Sequence, residues 1–430
     1  MRDKNNNKAR GTGAKERADS VSSTDFSPKF LPYGRQYVSE DDIEAVVQVL
    51  KSDWLTQGPD IAAFERALTR KIGSGFAAAC SSGTAALHLA MMALGLGEGD
   101  EIVTSPITFL ASANCARFVG AEVKFADVDA ATGLMSPKSL EKILASDKDK
   151  KIKAVIPVHL AGQPADLPAI CDLAKQHGAA VVDDACHALG ARYEFGNEEI
   201  TMGTGRHADM TVFSFHPVKH VAMGEGGAVT GNDEKFEERL KRFRCHGMRK
   251  DKLVNRGMAF DAGGEVNPWY YEMPELGYNY RLTDIQAALG LSQLGRLESS
   301  LEKRNAIAGR YRRLLEENFP EGTVKPLAVR PGVFNAYHLF VLLIDFERWG
   351  VSRAEVMNRL RARNIGTQVH YIPVPYQPYY AERYGFKPGD FPGADSYYRQ
   401  ALSIPMYPEL DDDDCARVIL TLKKILKREL

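Results

Sequence analysis

Nowhere in the 430 residues does an apolar run reach the roughly 18 residues that a membrane-crossing helix needs, so membrane insertion is not expected. Charge of one sign is not in excess either. The 55 basic and 56 acidic residues leave a net charge of −1, which argues against a polyanion-binding surface of the nucleic-acid kind. A small or locally anionic ligand stays compatible with that balance. Cysteine is sparse: Cys80, Cys115, Cys171, Cys186, Cys245 and Cys415 show no CxxC spacing, so neither a zinc site nor a disulfide framework is expected. The cytoplasm is then the natural compartment. Residues 1–27 are rich in Asn, Lys, Arg, Ser and Gly but lack the apolar core of a secretory signal, and read as a disordered extension outside the fold. There is no internal repeat of the solenoid kind.

What is present is a soluble globular composition, 44% hydrophobic and 26% charged, in a chain longer than a single core usually supports. Two packed regions are expected. Order should begin at LPYGRQYVSEDDIEAVVQVL, where Ser39 and Asp42 form a capping box and Ile43, Val46, Val47 and Leu50 fall on one apolar face. Short apolar runs then recur (EIVTSP, AEVKFAD, KAVIPVHLAG, AAVVDDA, DMTVFSF, GGAVTG), separated by helix-like segments such as SPKSLEKILAS and DLPAICDLAKQHG. That alternation predicts an α/β region with a parallel sheet covered on both faces. The stretch LTDIQAALGLSQLGRLESSLEKRNAIAGRYRRLLEENF reads as long helix. After it come isolated strand-like pieces, HLFVLLIDF and GTQVHYIPV, and more helix, which predicts a smaller α+β region. In DDDDCARVILTLKKILKREL the aspartates precede a helix and Lys427 and Arg428 close it, both favourable to the helix dipole.

Open α/β sheets bind ligands at the carboxyl ends of their strands, and four such ends carry unusual residues. In AAACSSGTAALHLAMMALG, a run leads through Ser81, Ser82, Gly83 and Thr84 into a helix whose free N–H groups and hydroxyls suit a phosphate; ordinary N-capping explains the same residues. In VVDDACHALG, one of Asp183 and Asp184 should point along the sheet edge toward a ligand and could keep a pyridinium nitrogen protonated. Metal ligation or capping are the alternatives. Phe109 in EIVTSPITFLASAN could face an aromatic ring, or belong to the core. In DMTVFSFHPVKHVAMGEGGAV, Lys219 follows the strand end at Ser214 by five residues and precedes a glycine turn, surroundings that suit an amine partly desolvated for imine chemistry. A surface lysine in a turn is the plain alternative, and the conjunction of all four ends weighs against it.

Taken together, SSGTAAL, ITFLASAN, DDACHALGA, FSFHPVKHVAMGEGGA and LGYNYRLTDIQAALG resemble the DegT-type nucleotide-sugar aminotransferases of the fold-type I pyridoxal-phosphate (PLP) class, from about residue 31 to the C-terminus. The resemblance implies a mainly parallel seven-stranded sheet sandwiched by helices over residues 28–290 and a smaller C-terminal α+β domain over 291–430. It implies that Lys219 holds the cofactor as an imine, that Asp184 partners the pyridine nitrogen, and that His187 stands near the cofactor O3′ where the family usually has Gln. Phe109 would stack on the ring, and Ser82, Gly83, Thr84 and Ser214 would hold the phosphate. Asn279 would reach the phosphate of a neighbouring subunit's cofactor, implying a homodimer with shared sites. Tyr33, Gln57, Arg281 and Tyr371 match positions near the sugar nucleotide.

Within the family, FHPVKH, CHALG, WLTQGP and QVHYIPV most resemble the members that act in pseudaminic acid synthesis. The implied reaction moves an amino group from L-glutamate to the C4 keto group of a UDP-linked 4-keto-6-deoxy-N-acetyl-hexosamine. A different 3- or 4-keto nucleotide sugar is the alternative substrate. The chain departs from the family at Ala222 and Met223, where threonines are usual, and at Ser81, where Asn is frequent. Relatives that dehydrate the sugar carry His at the lysine position, and a non-catalytic sugar or cofactor sensor would lose the lysine or the acid; Lys219 and Asp184 argue against both.

Overall fold

The computed structural model describes residues 29–430; the expected N-terminal extension lies outside the described residues. Among the described residues thirteen strands follow in chain order: β1 (Phe76–Cys80), β2 (Glu101–Thr104), β3 (Glu122–Phe125), β4 (Ile152–Ile156), β5 (Ala180–Asp184), β6 (Arg192–Phe195), β7 (Glu198–Thr201), β8 (Met210–Ser214), β9 (Gly227–Gly231), β10 (Val324–Pro326), β11 (Val333–Phe334), β12 (Phe340–Ile344) and β13 (Ala401–Ile404). Seven of them make the central sheet in the order β1-β9-β8-β5-β4-β2-β3. The pairs β2–β3, β2–β4, β4–β5 and β5–β8 are parallel, whereas β9 runs antiparallel to both β8 and β1. Every residue of β1 and β9 is buried, as expected of strands covered on two faces. The expected mainly parallel seven-stranded sheet is therefore present, with one reversed strand. Its parallel strands and β1 all end at one edge.

The reversal has a local cause. Gly227, the first residue of β9, pairs with both Cys80 at the end of β1 and Ser214 at the end of β8. A Cβ there would collide with the Ser82 carbonyl and stand 2.7 Å from the Gly83 nitrogen. Only glycine lets the start of β9 touch the turn that follows β1. Gly83 is equally confined, since its Cβ would lie 2.9 Å from Ser214 Cβ. Two glycines thus draw the Ser82 turn and the end of β8 together.

Several predicted helices form as read. Pro137–Ser146 is capped by Ser136, and Leu167–His177 ends at Gly178 in the left-handed conformation. Asp411 caps the last helix, Asp412–Leu426, with three aspartates in its first turn. The long helix expected after residue 282 is instead two, Asp284–Leu294 and Leu297–Asn318, interrupted at Gly295 and Arg296. GTQVHYIPV forms no strand of its own; it meets the neighbouring sheet through a bridge from Gln368 to Ser403 and a 2.8 Å hydrogen bond between His370 Nδ1 and Ser403 Oγ, and Pro373, which has no N–H to donate, stands against a longer ladder. The core also changes partner inside Leu297–Asn318. Leu297 and Leu301 pack with the central sheet, whereas Ile307, Tyr311 and Leu315 join a second core built on β12, β13 and the C-terminal helix. Leu31 belongs to that second core as well.

The first helix, Glu40–Leu50, has the expected capping box but not the expected buried face. Ile43 and Leu50 are about half exposed, and the fully buried residue is Asp42. Its carboxylate accepts from Ser39 N (2.9 Å), Ser292 Oγ (2.6 Å), Gln293 Nε2 (3.2 Å) and Arg296 Nη2 (2.5 Å), tying this helix to Asp284–Leu294. Burial raises the Asp42 pKa, yet the hydrogen bonds from Arg296, Ser292 and Ser39 more than offset it and hold the carboxyl below its ordinary value. A depressed carboxyl stabilises the fold above its unfolded pKa and loses that contribution as pH falls through the folded one. Asp42→Ala should therefore cost about 3 kcal/mol near neutral pH, narrowing in acid, as read by urea unfolding of both proteins.

Candidate active site

A cavity of about 650 Å³ opens where the strands end. Ten of the residues singled out in the sequence line it: Tyr33, Ser82, Gly83, Thr84, Phe109, Asp184, His187, Ser214, Lys219 and Tyr371. Gln57, Asn279 and Arg281 do not.

Ser82 caps the helix Gly83–Leu94, its hydroxyl accepting from Ala85 N at 3.1 Å. The N-capping reading is thus met, and the anion reading survives it. The first-turn N–H groups of any helix lack intrahelical acceptors, this turn carries no acidic side chain, and Gly83 and Thr84 open onto the cavity. Ser214 closes the cradle from the end of β8, through the contact that Gly83 permits.

The adjacent aspartates of β5 point apart, as alternation requires. Asp183 meets the Thr211 hydroxyl at 3.3 Å within the sheet layer, whereas Asp184 faces the cavity. Asp184 Oδ2 lies 2.5 Å from Ser112 Oγ, which is 2.7 Å from Thr108 Oγ1; Asp184 Oδ1 accepts from Cys186 N at 3.2 Å. With Ser112 donating its one proton to the carboxyl group, Thr108 donates to Ser112, and the relay fixes the Asp184 side chain in place. His187 is a neutral imidazole. Its Nδ1 accepts from Ala161 N at 3.3 Å, so the proton sits on Nε2, which donates to the Tyr371 hydroxyl at 3.1 Å.

Lys219 is carried on the tight loop between β8 and β9, closed by Phe215 N to Gly226 O and Met223 N to Phe215 O, both 2.9 Å. The residues that depart from the family pattern, Ala222 and Met223, are buried members of this loop, and Ala222 N donates to Gln293 Oε1 at 2.9 Å. Among the described residues the Lys219 amine has no carboxylate in ion-pair contact; its neighbour is His338 Nε2 at 3.4 Å. Burial brings its pKa down to about 8, with Cys186 and Asp184 opposing the shift. Around it, burial also drives His187 and His338 well below the usual histidine value and His220 and His370 to about 3, so these rings stay neutral.

Sequence reasoning missed Thr108, Ser112 and His338. His338 is 119 residues from Lys219, at the start of β12 in the other core, and a lone His before an apolar run carries no signal of the pairing. Ser112 was visible in ITFLASAN but looked like one more helix residue.

The three residues outside the cavity lie on a surface ridge on which Gln57 and Asn279 are exposed and Arg281 is half-buried. Asp284 accepts from Gly58 N (2.8 Å) and Asp60 N (2.9 Å), and Thr56 bridges Thr283, so Gln57 and the Arg281 segment are held side by side. Asn279 bridges Cys245, and Arg281 Nη1 reaches Cys245 Sγ at 3.4 Å.

An enclosed amine opposite a buffered carboxylate and a helix start is the donor set of a PLP enzyme. The DegT/DnrJ/EryC1/StrS aminotransferase family matches residues 36–423. The chain belongs to that family. It is 39% identical over 399 residues to the spore coat polysaccharide biosynthesis protein SpsC of Bacillus subtilis, covering 93% of this chain and 97% of that one. Among solved structures, PseC of Helicobacter pylori, an aminotransferase involved in the biosynthesis of pseudaminic acid, matches with TM-score 0.81 and 29% identity over 93% of this chain and all of that one. Spr1654 of Streptococcus pneumoniae, in its PLP form, matches with TM-score 0.80 and 28% identity over 93% and 100%. This chain is a sugar aminotransferase, and its cofactor is PLP. No helix among the described residues is long and apolar enough to cross a membrane.

The Lys219 pKa sets a test. With about one amine in ten unprotonated at pH 7, the cofactor-free protein should rebind PLP faster as pH rises and level off above about pH 8. A reconstitution rate still climbing steadily to pH 10 would place the amine at its ordinary value.

Proposed function

We propose that the enzyme transfers the amino group of L-glutamate to the C4 keto group of a UDP-linked 4-keto-6-deoxy-N-acetyl-hexosamine, as in pseudaminic acid synthesis. The observation that carries the chemistry is Lys219, a desolvated amine that faces Asp184 across the cavity. The likeness to PseC and the cavity-lining Tyr33 and Tyr371 support the sugar.

PLP, when bound, supplies an aldehyde carbon for amines and a ring that takes up electrons. Ser82, Gly83, Thr84 and Ser214 would hold its phosphate, Asp184 its ring nitrogen, His187 Nε2 its phenolic oxygen, and Phe109 one ring face. Lys219 does the proton work. Displaced by the incoming amine, it is near its own pKa at pH 8, so it can take a proton from glutamate Cα and later deliver one to sugar C4. His338, neutral and 3.4 Å away, keeps the amine positioned without adding charge. Borohydride treatment of the holoenzyme should fix the cofactor on Lys219, and Lys219→Ala should lose both that adduct and turnover by at least about 10³-fold. Adduct on another residue would refute the assignment.

A second reading, another 3- or 4-keto nucleotide sugar of a surface polysaccharide, is favoured by the likeness to SpsC. Glutamate-driven amination of a panel of keto sugars, read by NMR of the product, separates the two: the pseudaminic-type UDP sugar should be preferred at least roughly ten-fold, and equal or better turnover of a 3-keto sugar would overturn the first reading.

We further propose a cytoplasmic homodimer with shared sites, in which Asn279 completes the partner's phosphate cradle and Gln57 and Arg281 approach the partner's substrate. The exposed apolar ridge around them, including Trp54, Trp269, Met273 and Leu276, supports it. Mixing inactive Asn279→Ala and Lys219→Ala proteins should restore up to about a quarter of wild-type activity if subunits exchange at random. Separately purified variants that stay inactive after co-refolding would exclude sharing.

We also propose that the large and small domains divide near residue 290, the second core taking over inside the helix Leu297–Asn318.

A further inference from the structure

A second, smaller cavity of about 70 Å³ shares Lys219 with the first. Five other basic side chains line it, Arg35, His220, Arg296, Lys303 and Arg304, and no carboxylate does. Asp42 already engages Arg296, while Arg35 and Lys303 have no ion pair among the described residues.

Arg304 is the anomaly. Arg304 is 1% exposed, yet among the described residues its only acceptors are the carbonyls of Tyr337 (3.1 Å), His338 (3.5 Å) and Met406 (3.3 Å), all on Nη1, and its buried Nε has no partner. A guanidinium taken out of water without a counter-charge is costly, and the structure supplies no anion of its own. His220 adds a complementary vacancy. Its Nε2 donates to Ala336 O at 2.9 Å, which leaves Nδ1 a buried lone pair with no donor. Ser299 and Ser300 bring hydroxyls and the first turn of the helix Leu297–Asn318.

We propose that this cavity binds inorganic phosphate as a hydrogen-bearing oxyanion. Its oxygens accept from Arg304 Nε, Lys303, Arg35 and the serine hydroxyls, and its O–H donates to His220 Nδ1. The volume, about that of two waters in the liquid, admits a free oxyanion and excludes a nucleotide. The O–H requirement makes phosphate a better ligand than sulfate, which carries none at neutral pH. The bound anion stands as counter-charge to Arg304, between it and Lys303 rather than in contact with the Lys219 amine.

The test uses PLP-saturated holoenzyme, because free phosphate also competes for the Ser82–Thr84 turn. Calorimetric titration with inorganic phosphate at constant ionic strength should show saturable binding, with sulfate weaker by roughly ten-fold. The double variant Arg35→Ala/Lys303→Ala removes two exposed side chains and should weaken phosphate by roughly ten-fold while the cofactor's absorbance is unchanged. Arsenate soaked into holoenzyme crystals should give an anomalous peak between Arg304 and Lys303. Phosphate and sulfate binding equally, affinity unchanged in the double variant, an effect abolished by excess PLP, or arsenate found only elsewhere would each overturn the assignment.

Discussion

The amine of Lys219 is half-buried at the cavity and has no salt bridge among the described residues, and the rest of the site is arranged around that constraint. A carboxylate in contact would raise its pKa and hold it as an ammonium, unable to attack an aldehyde. The nearest polar group is instead an imidazole that burial keeps neutral, and Asp184 acts on the amine only across the cavity. The histidines on this side follow the same logic. Each is pushed toward its uncharged form, so none adds a cation to a space where one would already be costly.

Placing that amine depends on backbone more than on side chains. Lys219 lies on a loop whose two ends, Ser214 and Gly227, are paired to each other. The same Gly227 pairs with Cys80, so the strand that returns from the lysine loop also positions the turn carrying Ser82 and Gly83. Cradle and amine are therefore one unit, and a shift of β9 would move both. This gives the reversed strand its role in an otherwise parallel sheet.

The parts of this arrangement that were legible in the sequence are those encoded by contiguous residues. Strand runs, the Ser82 turn, the Asp184 strand end and the lysine loop each carry their own local pattern, and the sheet collects them at one edge because parallel strands end together. What periodicity could not show was which partner a face meets. Ile43, Val46, Val47 and Leu50 have helical spacing, but the helix turns Asp42 inward because Arg296, Ser292 and Gln293, some 250 residues on, satisfy its charge. His338 and Ser112 were illegible for the same reason, their roles being defined by contacts to Lys219 and Asp184 across 119 and 72 residues. Gly295 gave a local hint of the broken helix that the strong flanking periodicity masked.

The residues left off the cavity have a place only under the proposed shared site. Tyr33 and Tyr371 line the cavity, their rings packed against His370 and His187, and under the proposed function they would meet only the part of the sugar near its reacting carbon. Gln57 and Arg281 are locked together elsewhere by Asp284, a buried carboxylate spent on the N–H groups of Gly58 and Asp60 rather than on chemistry. That expenditure makes sense if the ridge must keep its shape for something it meets from outside. Under the proposed shared site, the cofactor end of the pocket is set by one chain and the nucleotide end by another, so changing the base or the hexose would require substitutions on different surfaces. Family members could then vary their sugars without disturbing the amine whose desolvation the reaction needs.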